Sequence, residues 1–72
     1  MKNNRKIEVG QVRAAQFGTE YEYWYVVNRI VSKAGGQFTE VYVTIIQHHN
    51  ASNINRKHIW YESCMLKDIV VM

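Results

Sequence analysis

The sequence predicts one small all-β domain: five short antiparallel strands closed into a barrel, with a single 3₁₀ turn before the last strand. Three observations carry this. The hydrophobic period is two through most of the chain, as half-buried strands require. The apolar runs are rich in Tyr, Trp, Val and Ile, which suit a pleated surface. Between them stand short clusters of Gly, Asn and Ser. Seventy-two residues make at most one domain, and a chain of that size buries only about 60% of its unfolded surface. Apolar residues are 47% of the chain, enough for one modest core and too many for a disordered segment.

The elements follow in order. Ile7 to Ala15 reads as a first strand, interrupted at Gly10-Gln11, where a glycine predicts a bulge or sharp bend. Gln16 to Glu20 is a loop. Tyr21 to Ser32 is a long second strand, and Ala34-Gly35-Gly36-Gln37 a tight hairpin, since Gly-Gly accepts the positive φ of the primed turns. Phe38 to His48 alternates cleanly, with Val41, Val43 and Ile45 on one face and Tyr42, Thr44 and Ile46 on the other. Asn50 to Asn55 is a loop of turn formers, and Lys57 to Glu62 a fourth strand. Ser63 to Asp68 is too short for a stable helix and fits one 3₁₀ turn. Ile69 to Met72 closes the chain, with Ile69 and Val71 expected inward. Closure would remove exposed edges; the competing arrangement is an open antiparallel sheet that dimerises through an edge.

Charge and cysteine usage narrow the partners. Nine basic and six acidic side chains give +3, a mild surplus that permits a polyanion partner without requiring one. Residues 1–6 read as a flexible basic arm ahead of a domain at 7–72. The arm lacks the apolar stretch of a signal peptide, and no run is long enough to span a bilayer, so the expected location is cytoplasmic, without a membrane partner. In that setting the Asn50-Ala51-Ser52 glycosylation pattern is a chance match. A single cysteine, Cys64, makes no intrachain disulfide and reads as a buried small hydrophobe.

Val9-Gly10-Gln11-Val12 at the start, Tyr25 to Ile30 in strand two, and Glu62-Ser63 leading to Leu66-Lys67 and a Val-rich last strand resemble small SH3-like barrels, common among short phage and prophage reading frames. The resemblance spans Ile7 to Met72. It implies a barrel fold and a binding role toward nucleic acid, peptides or host proteins, and it assigns no functional residue.

Strand two carries more aromatic surface than one barrel interior holds. Tyr21, Tyr23, Tyr25 and Val27 share one face; Trp24, Val26 and Ile30 share the other. A two-residue Gly35-Gly36 turn pairs Ile30 with Val41, Asn28 with Val43, Val26 with Ile45 and Trp24 with Gln47, and turns Asn28 inward. An unpartnered buried amide costs about 1–3 kcal/mol. A bulge near Val27-Asn28 avoids this and turns Val27 and Tyr25 inward instead. Either way one aromatic set faces out: Tyr23 and Tyr25 with Tyr42, or Trp24 with its neighbours. Such rings serve as cross-strand pairs or, beside Arg29, as a contact surface, because aromatics and arginine are enriched at interface cores.

The expected role is therefore a non-enzymatic protein-interaction module, of a phage-type accessory or inhibitor kind, using Tyr23, Trp24, Tyr25, Arg29 and Tyr42. The alternative is a nucleic-acid-binding barrel using Lys2, Arg5 and Lys6 with Arg56 and Lys57, since basic groups among exposed rings track phosphates and stack bases. A homodimer fits as well. His48, His49 and His58 are three imidazoles near one hairpin, but adjacent strand residues point to opposite faces, so no metal or other cofactor is expected. No phosphate loop, nucleophile motif or carboxylate pair marks an enzyme.

Overall fold

The computed structural model describes residues 6–72. It shows an all-β fold with strands β1 (Val12–Ala15), β2 (Tyr23–Lys33), β3 (Phe38–Gln47), β4 (Lys57–Tyr61) and β5 (Ile69–Val70). One antiparallel sheet runs in the order β4-β3-β2-β1-β5. The sheet is not closed: β4 and β5 are its two edges. Short 3₁₀ turns at Ala51–Asn53 and Glu62–Cys64 join the later strands. The first strand is shorter than its composition predicts. Glu8 to Gln11 folds as a turn, with the Gln11 N–H donating to the Glu8 carbonyl at 3.2 Å and Gly10 at φ +92°. Ile7 still reaches the core. The predicted arm lies, apart from Lys6, outside the described residues.

Both halves of the β2–β3 hairpin can be understood from one bulge. From Lys33–Phe38 to Arg29–Tyr42 the pairing is that of the Gly-Gly turn, with Gly35 and Gly36 at φ +66° and +94°. Between Arg29 and Val27 the register shifts by one. Asn28 is the extra residue; it is exposed and its amide donates to Thr44 Oγ1 at 2.6 Å. Beyond it Val27 pairs with Val43 and Tyr25 with Ile45, so Val27 and Tyr25 turn inward and are fully buried. A buried amide is avoided at the price of a local break in the ladder. A second shift between Trp24 and Tyr25 leaves Ile46 opposite no residue.

The core is Ile7, Ala15, Tyr25, Val27, Val41, Val43, Ile45 and Met65, with Tyr23, Ile30 and Trp60 packed against it. In the last strand the expected parity is reversed: Val70 is buried, while Ile69 and Val71 are half-buried. The cause is a buried polar tie from β1. Arg13 is wholly buried. Its guanidinium donates to Gln11 Oε1 at 3.0 Å, to the Met65 carbonyl at 3.3 Å and to the Asp68 carbonyl at 2.8 Å. Tyr25 donates its hydroxyl to Asp68 Oδ2 at 2.6 Å. Arg13 pairs with Val70 across the β1–β5 ladder, so the residue that faces inward beside it is Val70. Burying an arginine and a carboxylate is tolerable only with partners of this kind.

Candidate interaction surface

Two ladders bring the outward side chains of β2, β3 and β4 into rows. Arg29 pairs with Tyr42 and Tyr42 with Ile59; one step along, Glu40 pairs with Tyr61. The Arg29 guanidinium carbon stands 5.5 Å from the Tyr42 ring centroid, a cation–π contact. Phe38 meets Tyr61 edge-to-face at 5.6 Å. Ile59, Tyr61 and Phe38 are 55%, 52% and 43% exposed. An open groove of about 670 Å³ is lined by Asn28, Arg29, Tyr42, Lys57, His58 and Ile59, with Val43 at its base. A second, of about 440 Å³, lies between the Gly36–Thr39 hairpin end and Tyr61–Ser63. Among the described residues, two cations and no carboxylate line the first groove. Around the Phe38–Tyr61 end the charge is mixed: Glu62 lines that hollow, and Lys33 approaches Glu40 to 3.9 Å.

Of the residues expected to form a partner site, the structure gathers only Arg29 and Tyr42. Tyr25 is fully buried and offers no contact surface. Burial and its bond to Asp68 push its phenol well above the ordinary range. Tyr23 is half-buried on the inner side, stacked on His48 at 5.3 Å and edge-on to Trp60 at 6.4 Å. Burial raises its phenol as well. Trp24 is half-buried beside Ala14, and its indole N–H donates to Glu22, which lowers that carboxyl. In their place stand Ile59, Tyr61 and Phe38. The alternation Ile59-Trp60-Tyr61 carries the signal for the β4 residues, but it becomes readable only when the β3–β4 register is known.

The basic residues divide. Lys57 joins Arg29 in the groove. Arg56 donates from Nε to the Ser52 carbonyl at 3.2 Å, Lys6 is exposed, and Lys2 and Arg5 lie outside the described residues. His48 and His49 do not diverge as strand neighbours would, because β3 ends at Gln47; their rings stack at 4.4 Å. The Asn50 N–H donates to His48 Nδ1 at 3.0 Å, and among the described residues no group of three metal-ligating side chains assembles. Cys64 is exposed, contrary to its apolar sequence context, because the turn at Glu62–Cys64 points Met65 rather than Cys64 into the core.

Among the described residues no helix is long and apolar enough to cross a membrane. The chain matches no protein-family model, no curated protein and no solved structure.

Proposed function

We propose that this chain is a non-enzymatic protein-binding module of the SH3-like kind, with the outer face of β2, β3 and β4 as its contact surface. The observation that carries the reading is the row Arg29–Tyr42–Ile59 running into Phe38–Tyr61. Aromatic and aliphatic surface is exposed there in one stretch, beside an arginine and a rim of mixed charge. Contiguous apolar surface on so small a domain is expensive to leave in water and marks contact sites. Rings and arginine are also the side chains that dominate binding energy. The five-strand order and the 3₁₀ turn at Glu62–Cys64 ahead of β5 support the SH3-like assignment, and with it a phage-type accessory or inhibitor role.

The experiment is capture from nuclease-treated lysate of the native source by the immobilised chain, compared with Tyr42→Ala and Arg29→Glu. Both positions lie outside the core, so the variants keep the wild-type circular dichroism. Loss of the same partner in both supports the reading; undiminished capture by both refutes it.

A second reading is favoured by one observation, the placement of Arg29 and Lys57 around Tyr42 in a groove that no carboxylate lines among the described residues. Such a groove can seat a phosphate backbone with a base on the ring. Binding of single-stranded oligonucleotides that falls steeply with salt, and is weakened by Lys57→Glu, would support it. No binding at low salt removes it.

A further inference from the structure

We propose that the free edge of β4 pairs with the β4 edge of a second copy of this chain, antiparallel about Ile59, to make one continuous ten-stranded sheet. This stands independently of the partner surface above, because it uses the strand's edge and not the face of the sheet.

The hydrogen-bond phase of β4 shows which groups are available. A turn at Asn53 to Arg56 enters the strand, with Ile54 at φ −69°, ψ 138° and Asn55 at φ +73°. The Asn55 N–H donates to the Ile45 carbonyl at 2.7 Å, and the Ile45 N–H to the Arg56 carbonyl at 2.9 Å. Arg56 therefore directs its carbonyl toward β3. Antiparallel ladders alternate hydrogen-bonded and non-hydrogen-bonded pairs, so His58 and Trp60, opposite Val43 and Val41, also bond to β3. Lys57, Ile59 and Tyr61 direct their N–H and C=O groups to the open edge. Their side chains are exposed, and among the described residues the sheet places no strand beyond them.

An exposed strand edge is a template for another strand. The other edge, β5, has only two residues and is already blunt. Only β4 is long enough to pair, and its sequence is complementary to itself. Antiparallel pairing about Ile59 sets Ile59 opposite Ile59, Lys57 opposite Tyr61 and His58 opposite Trp60. Apolar meets apolar, ammonium meets ring and imidazole meets indole; no like charges face each other. The pairing also joins groups that all point to the edge, forming about six backbone hydrogen bonds. A one-residue slip would set Ile59 against a residue whose backbone bonds to β3, and a two-residue slip would leave part of each strand unpaired. The contact is isologous and closes at two copies. It extends the outer row to Arg29–Tyr42–Ile59 followed by its mirror, doubling the apolar face rather than covering it.

The test is sedimentation equilibrium of the purified full chain, with amide exchange on the same samples. The expected result is a species of twice the 8.5 kDa chain mass at high-micromolar concentration. The Ile59 and Tyr61 amides should gain protection as concentration rises, while His58 and Trp60 are protected throughout. Ile59→Pro removes an N–H that β3 does not use, so it should leave a folded monomer. Ile59→Lys sets two ammonium groups opposite each other and should weaken the dimer at least tenfold; it decides the matter if the proline variant fails to fold. A wild-type chain that stays at its single mass, a dimer that Ile59→Lys leaves undiminished, or a wild-type dimer whose Ile59 amide stays open would overturn the proposal.

Discussion

Removing one oxygen, by Tyr25→Phe, should cost far more stability near pH 7 than at pH 4. Tyr25 donates to Asp68 Oδ2 at 2.6 Å inside the protein, and Asp68 Oδ1 is buried with no hydrogen-bond partner among the described residues. The phenol is therefore a principal donor to a carboxylate with little other solvation. A hydrogen bond to a charged group is worth about 1.5–3 kcal/mol. For a domain of this length that corresponds to a fall in Tm of roughly 6–24 °C at neutral pH. Burial holds the Asp68 carboxyl above its ordinary value, and the Tyr25 bond and Arg13 act against that rise. A carboxyl raised in the folded state binds its proton more tightly there than in the unfolded chain. Its ionised form thus costs stability above the folded value, and that cost is relieved as pH falls through the folded value toward the unfolded one of about 3.9. Tyr25→Phe raises the folded value further and enlarges the pH-dependent part, whereas Asp68→Asn abolishes it. Urea melts of wild type, both single variants and the double variant, at pH 4 and pH 7, give the coupling directly. A loss below about 0.5 kcal/mol at pH 7, or an equal loss at both pH values, would refute the buried carboxylate–phenol account.

Other consequences can be measured by the same melts. Ala34 sits at φ +52° in the hairpin, so Ala34→Gly should stabilise the chain by about 1 kcal/mol, against the usual sense of that substitution. Ile45→Ala should cost about 2–5 kcal/mol, while Ile46→Ala one residue on should cost under about 1, because Ile45 is buried and Ile46 lies in the bulge with 37% of its surface exposed. Zinc added to the chain should leave Tm unchanged; a rise that scales with zinc concentration would show a site the three histidines do not make in this arrangement.

The sequence carries most of the fold in local terms. Val41, Val43 and Ile45 announce their shared face, and the Gly35-Gly36 turn sets the register as far as Arg29. Past that point local pattern is silent, because Tyr25 and Trp24 are both large, apolar and β-forming. What decides between them is the cost of burying Asn28, together with the distant Asp68 that receives the Tyr25 hydroxyl. Arg13 misleads for a related reason. An arginine in a short strand reads as surface charge until carbonyls from Met65 and Asp68 are folded onto it. The proposed contact surface is half legible in the sequence: Arg29 and Tyr42 are adjacent once the hairpin is drawn, but Ile59 and Tyr61 join them through a pairing with β4 that no hairpin rule reaches across the Asn50–Arg56 turn. The length of the chain favours closure into a barrel, yet the sheet keeps two edges, and one of them is the strand that carries the exposed Ile59.

The most direct test of the binding-face account is backbone NMR of the labelled chain as the captured partner is added. Chemical-shift perturbation should concentrate at Arg29, Tyr42, Lys57, Ile59 and Tyr61. Changes centred on Tyr23, His48 and Trp60, with the outer face unmoved, would contradict the account and place the contact on the inner aromatic side.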